Sequence, residues 1–164
     1  MSDSISLPSK LHRTNMANDP MPKCDLGCEV SSCRMKFTIP ADVNQIAGVV
    51  DRVIELAEKE MGADTEKPMA IGLALQEAMA NAVVHGSGCN PAKQVQCWVA
   101  YDHSHGMTIV VSDTGPGFHV EDVPGPLGTE GMKKDHGRGV YLIRQLMDSV
   151  HFQNEGREIH MTKK

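Results

Sequence analysis

Apolar and polar residues alternate along this chain in two periods, one of two residues and one near 3.6, and their order predicts most of its elements. Met35, Phe37 and Ile39 alternate with Arg34, Lys36 and Thr38, which predicts a short strand at a sheet edge, stopped by Pro40. Val43, Ile46, Val49, Val50, Val53, Ile54 and Ala57 follow helical spacing, with Asp42 placed to cap the helix and Gly62 to end it. A second helix has Thr65 as its expected cap and Pro68 in its first turn. Its apolar surface comes from Leu73, Ala74, Met79, Ala80, Val83 and Val84, and Gly86, Gly88, Asn90 and Pro91 break it. Val95, Cys97, Val99 and Tyr101 then alternate with Gln94, Gln96, Trp98 and Ala100, and residues 107–112 follow as a second strand after a turn at 102–106. Residues 118–135 sustain no period and contain Pro124, Gly125, Pro126, Gly128 and Gly131, so a long irregular loop, of the kind used as a lid, is expected. Residues 139–149 read as a helix with Val140, Ile143, Leu146 and Met147 inward, and 149–154 with 157–162 as a hairpin around Glu155-Gly156. Helices interleaved with hairpins predict an α+β fold, with helices layered on one face of a mixed, largely antiparallel sheet.

Length changes this picture little, because 164 residues suit one domain with a tail. Residues 1–34 are expected to form a mobile tail rich in Ser, Asn, Asp and Pro, and 35–164 the domain. A net charge of −5, with Lys and Arg scattered, argues against direct nucleic-acid binding. No run of 18 apolar residues occurs, and Met-Ser-Asp-Ser-Ile-Ser is no signal peptide, so a soluble, cytoplasmic protein without membrane contact is expected. Five cysteines are an odd count for a disulfide framework. Cys24, Cys28 and Cys33 are either thiolate ligands or incidental, redox-sensitive thiols; their spacing is not the paired two-residue gap of ordinary zinc sites.

Candidate chemistry begins on the second helix, where Glu77, Asn81 and His85 fall on one side at four-residue spacing. Such a stripe is either solvated surface or the wall of a site. Downstream lie two glycine-bearing loops, Asp113-Thr-Gly115-Pro-Gly117 and His136-Gly137-Arg138-Gly139. The second stands just before a predicted helix, where backbone N–H groups and the helix dipole favour anions. Lys133 and Lys134 precede it, as phosphate ligands or as solvated charges. Residues 111–115, Val-Ser-Asp-Thr-Gly, also resemble an aspartic-protease loop, but a single copy needs a symmetric dimer and leaves Glu77, Asn81 and Gly137-Arg138-Gly139 idle. No Gly-x4-Gly-Lys-Ser/Thr occurs, which excludes a P-loop.

These three groups, in this order, resemble the N, G1 and G2 boxes of the ATP-binding domain shared by gyrase-type ATPases, Hsp90, histidine kinases and MutL. The approach at 37–42 and the run at 137–148 look like one branch of it, the stand-alone serine-protein kinases that act as anti-sigma factors. The resemblance implies a Bergerat-type sandwich that binds ATP with Mg²⁺. It assigns Asn81 to the metal, Glu77 to the general base, Asp113 to the adenine amino group, with Gly115 and Gly117 admitting the ring, and Gly137, Arg138 and Gly139 to the phosphates. His85 either lines the phosphate side or caps its helix. The partners implied are a sigma factor and a small anti-sigma antagonist whose serine is phosphorylated, and a homodimer is expected. One departure stands out: several relatives place a threonine near the adenine after the final glycine, where this chain has Arg157 and Glu158. Two other outputs fit the same boxes, a nucleotide-regulated binding module and a histidine-kinase catalytic module acting in trans.

Overall fold

The computed structural model describes residues 33–62, 64–117 and 135–164; residues 33, 34 and 135–137 are described by their backbone. Cys24 and Cys28 of the expected tail, and Lys133 and Lys134 of the expected lid, lie outside the described residues.

Among the described residues five strands form one sheet in the order β1-β2-β3-β5-β4. They are β1 (Cys33–Pro40), β2 (Gln94–Asp102), β3 (Gly106–Ser112), β4 (Ser149–Gln153) and β5 (Glu158–Lys163). Every described pairing is antiparallel, so the sheet goes further in that direction than a mixed one. β1 begins one residue before the expected strand, at Cys33, pairs Met35 with Val99 and Ile39 with Val95, and lies at the edge as predicted.

Among the described residues three α-helices cover one face: α1 (Ile46–Met61), α2 (Glu66–Asn81) and α3 (Asp135–Leu146). Odd-numbered strand residues Val95, Cys97, Val99, Met107, Ile109, Val111 and Met161 meet Val49, Val53, Ile71, Leu75, Met79 and Ile143 in one apolar core. The two periods read from the sequence converge there, since each element buries the stripe that its own geometry lines up. The opposite face carries Trp98, Ala100 and Val110, also buried, with Thr108, Thr162, Glu158 and His160. Its polar members pair across it: Glu158 Oε1 lies 2.6 Å from His160 Nε2, and the Thr108 and Thr162 hydroxyls are 3.3 Å apart.

Helix boundaries differ from expectation where side chains compete for the same turn. Asp42 caps as predicted, accepting from Asn44 N–H at 3.0 Å, but it opens a short 3₁₀ turn, Val43–Gln45, and α1 follows that turn. Thr65 makes no capping bond; the Asp64 carboxylate accepts from the N–H groups of Glu66 and Lys67 instead, at 3.0 and 3.4 Å. These bonds hold the Asp64 carboxyl below its ordinary range, because they favour its charged form. Among the described residues no helix is long and apolar enough to cross a membrane.

Candidate functional site

α2 carries Glu77 and Asn81 one turn apart, half-buried beside the start of α3. Gly139 closes that contact. A Cβ built on it would lie 2.9 Å from Glu77 Oε2 and 3.2 Å from Asn81 Nδ2. Any side chain there would push the carboxylate and the carboxamide aside, so glycine allows α3 to sit directly on them. Gly137-Arg138-Gly139 falls inside α3 rather than ahead of it, because the helix begins at Asp135. The backbone N–H groups of its first residues, 135–137, belong to the first turn, where a helix has no carbonyl of its own four residues back to accept from them. Arg138 is exposed on this first turn.

After Asn81 the helix widens into a π turn, Ala82–Gly86, with the N–H of Ser87 reaching back five residues to the Ala82 carbonyl at 2.9 Å. The α-helical phase that aligned His85 with Glu77 and Asn81 therefore ends at Asn81, and His85 lies exposed on the wider turn. The same turn seats Gly86 against the end of β3, where a Cβ on Gly86 would overlap the Asp113 carboxyl group and one on Gly115 the Gly86 carbonyl.

Asp113 is the first residue beyond β3. Its N–H donates to the Arg157 carbonyl at 3.0 Å, and its Oδ1 accepts from Gly115 N–H at 2.7 Å. Partial burial pushes this carboxyl above its ordinary range; the Gly115 bond, then the charges of Arg157 and Lys93, pull it back without cancelling the effect. Gly117 adopts φ +76°, a left-handed conformation that favours glycine, and its Cα packs on the Glu155 carbonyl and the stem of Arg157. The β4–β5 turn thus supports the first glycine loop from behind.

The structure brings Glu77, Asn81 and Gly139 into one cluster and Gly86, Asp113 and Gly115 into another, at successive turns of the same helical segment. Sequence reasoning missed Arg157 and Lys93 as the cations acting on Asp113. For Arg157 the departure from threonine was a legible signal; for Lys93 there was none. Among the described residues no group of three or more His, Cys, Asp or Glu could hold a metal ion by itself. The hard oxygens here, the Glu77 carboxylate and the Asn81 amide, suit a cation that keeps most of its shell of water and phosphate oxygen, as Mg²⁺ does.

Comparison with known proteins agrees with this fold. The profile of the histidine kinase-like ATPase domain matches residues 39–163. The serine-protein kinase RsbW of Bacillus licheniformis is 28% identical over 127 residues, covering 73% of this chain and 78% of the relative. RsbW of Oceanobacillus iheyensis is 27% identical over 136 residues, covering 79% and 85%. With a match that runs from the end of β1 to β5, the chain belongs to the histidine kinase-like ATPase family.

Proposed function

We propose that the protein is an Mg-ATP-dependent serine-protein kinase that acts as an anti-sigma factor, binding a sigma factor and phosphorylating a small antagonist protein. The observation that carries the phosphotransfer is the seat of Glu77 and Asn81 against Gly139 at the start of α3. Phosphoryl transfer needs the γ-phosphate, a metal and an acceptor hydroxyl held together, with a group to take the proton. The N–H groups at the head of α3 are oriented for phosphate, Asn81 offers a neutral oxygen to Mg²⁺, and Glu77, one turn away, can accept the proton of a serine hydroxyl. Mg²⁺ supplies charge neutralisation of the phosphates when bound. Asp113, at the far end of the π turn, accepts from the adenine amino group. Two relatives with serine-protein kinase names support the reading of the acceptor as serine, and the likeness to anti-sigma kinases supports the partners. The phosphate would switch partners by placing charge on the antagonist's interface. A homodimer in the cytoplasm is part of the same proposal, as are a domain at 35–164 and a separate segment at 1–34.

The test is phosphotransfer from radiolabelled Mg-ATP into proteins of the source cell, with wild type, Glu77→Gln and Asn81→Ala. Expected is an acid-stable phosphoserine on a small protein, abolished by Glu77→Gln with nucleotide binding kept, and abolished by Asn81→Ala with Mg²⁺-dependent binding lost. An acid-labile phosphoprotein would make the acceptor histidine and overturn the serine assignment. Nucleotide-dependent partner capture without any transfer would leave a binding module.

A further inference from the structure

We propose that the outward face of α2 ahead of Glu77, carrying Met69 and Leu73, is the docking surface for the protein whose serine is phosphorylated, and that it recognises apolar residues beside that serine. The inference deepens the reading of this chain as a serine-protein kinase and rests on it. α1 and α2 pack together, with Gly72 set against Ile54, yet their outward faces differ in kind. α1 turns Asp51, Arg52, Glu55, Glu58 and Lys59 to solvent, as a solvated helix face does. Between Lys67 and His85, by contrast, the one charged residue is Glu77. Met69 and Leu73 are 67% and 47% exposed, eight and four residues ahead of it. A helix that is apolar on its outward side as well as its inward one suits a partner better than it suits water.

The order of groups along this helical segment identifies the partner. At its C-terminal end the π turn seats Gly86 at the Asp113 carboxyl group; then come Asn81, Glu77, Leu73 and Met69, in four-residue steps of ~6 Å. With the adenine at Asp113 and the metal at Asn81, the nucleotide runs along the segment toward Glu77. In phosphoryl transfer the serine oxygen attacks the γ-phosphorus from the side opposite the leaving oxygen of ADP, the bond to that oxygen breaks, and the serine proton passes to Glu77. The serine therefore comes from beyond Glu77, where Leu73 lies, because α3 already occupies the flank on which Gly139 meets Glu77 and Asn81. The Cα–Cβ bonds of a helix tilt toward its N-terminus, so the Glu77 side chain leaves α2 in the direction of the Leu73 turn. A peptide laid extended along α2 from that point advances ~3.3 Å per residue and turns alternate side chains to one face. Its second and fourth residues from the serine then reach the levels of Leu73 and Met69, and apolar side chains are expected there.

The probe is the protein of the source cell that takes up acid-stable label from wild type and Mg-ATP, identified by that label and purified unphosphorylated. The variants are Leu73→Gln, Met69→Gln with Leu73→Gln, and Leu73→Met. Gln is close to Leu and Met in helix propensity and both positions are exposed, so melting temperatures are expected to match wild type. In Leu73→Gln the KM for the acceptor protein is expected to rise about tenfold, and further in the double variant, with kcat at saturating acceptor and Mg-ADP affinity by calorimetry unchanged. Leu73→Met is expected to track wild type. An acceptor KM unmoved in the double variant overturns the proposal. A KM rise that comes with weaker Mg-ADP binding also overturns it, by making the face part of the nucleotide site, as does one with a change of mass in sedimentation, by making it a contact between copies of this chain. No acid-stable label with wild type overturns the serine-kinase reading itself, and this proposal with it.

Discussion

Asp113 is held in the folded chain against its preference for water, because partial burial raises its carboxyl above the ordinary range. A carboxyl whose folded value lies above its unfolded one costs stability at neutral pH, and that cost fades as pH falls through the folded value. Asp113→Asn keeps an oxygen for the Gly115 N–H and removes the buried charge. The substitution is therefore expected to raise the melting temperature at neutral pH while removing nucleotide binding, with the gain shrinking in acid; melting curves at the two pH values check it. A variant less stable than wild type at neutral pH would mean that the Gly115 bond needs a full charge. The trade is of the usual kind at a functional site, where a group is retained for chemistry at some cost to the fold.

At the scale of elements, the site depends on two close approaches, one of α3 to α2 and one of the β4–β5 turn to the first glycine loop. Gly139→Ala puts a methyl carbon 2.9 Å from Glu77 Oε2 and 3.2 Å from Asn81 Nδ2, too close for the two groups to stay where they are. Alanine favours the helix by about 1 kcal/mol over glycine, so the fold should be no less stable, whereas displaced groups of about 1 Å can cost on the order of 100-fold in rate. Phosphotransfer lost with an unchanged or higher melting temperature is the expected result; full activity would show that Glu77 and Asn81 do not act from their present positions. In the turn, Asn154, Glu155 and Gly156 have φ of +52°, +57° and +79° in succession. Glu155 alone of the three is ill suited to that conformation, and its ion pair with Arg157 is exposed. Glu155→Gly is expected to stabilise by about 1 kcal/mol, or about 2–4 °C in melting temperature for a chain of this size. A loss of stability in thermal denaturation would assign more weight to the Arg157 contact than its exposure suggests.

For the whole molecule, ligand binding and folding are linked through α2, which lines one cluster, continues into the π turn that lines the other, and packs in the core through Ile71, Leu75 and Met79. A nucleotide that bridges α3, the π turn and the β3 end binds only the folded chain, so Mg-ATP at 100 times its dissociation constant should add about 2.7 kcal/mol. That corresponds to a rise of about 5–10 °C in melting temperature. Asn81→Ala should lose the Mg²⁺-dependent part of this rise, and no rise in wild type would count against a nucleotide site. The opposite sheet face contributes differently. Glu158 and His160 are both buried and bonded to each other, with Asn154 Nδ2 donating to Glu158 at 3.1 Å, so this face is held by polar contacts of its own.

The sequence by itself determined the order of elements, the antiparallel hairpins, the edge position of β1 and the three groups of candidate residues. Those features follow from local rules: periodicity selects the face that is buried, and Pro40, Gly62 and Gly86 interrupt a regular backbone wherever they stand. Tertiary structure decided that Gly139 lies on Glu77 and Asn81, that the helix widens after Asn81 so that Gly86 meets Asp113, and that Arg157 acts on Asp113 from another hairpin. It also chose Asp64 over Thr65 as the cap of α2. Each of these depends on where the chain returns in space, and on which of two neighbouring side chains first reaches an open N–H group. Residue spacing along one element carries no record of that, because the distances that matter here join residues tens of positions apart through a core that exists only when all of it is assembled.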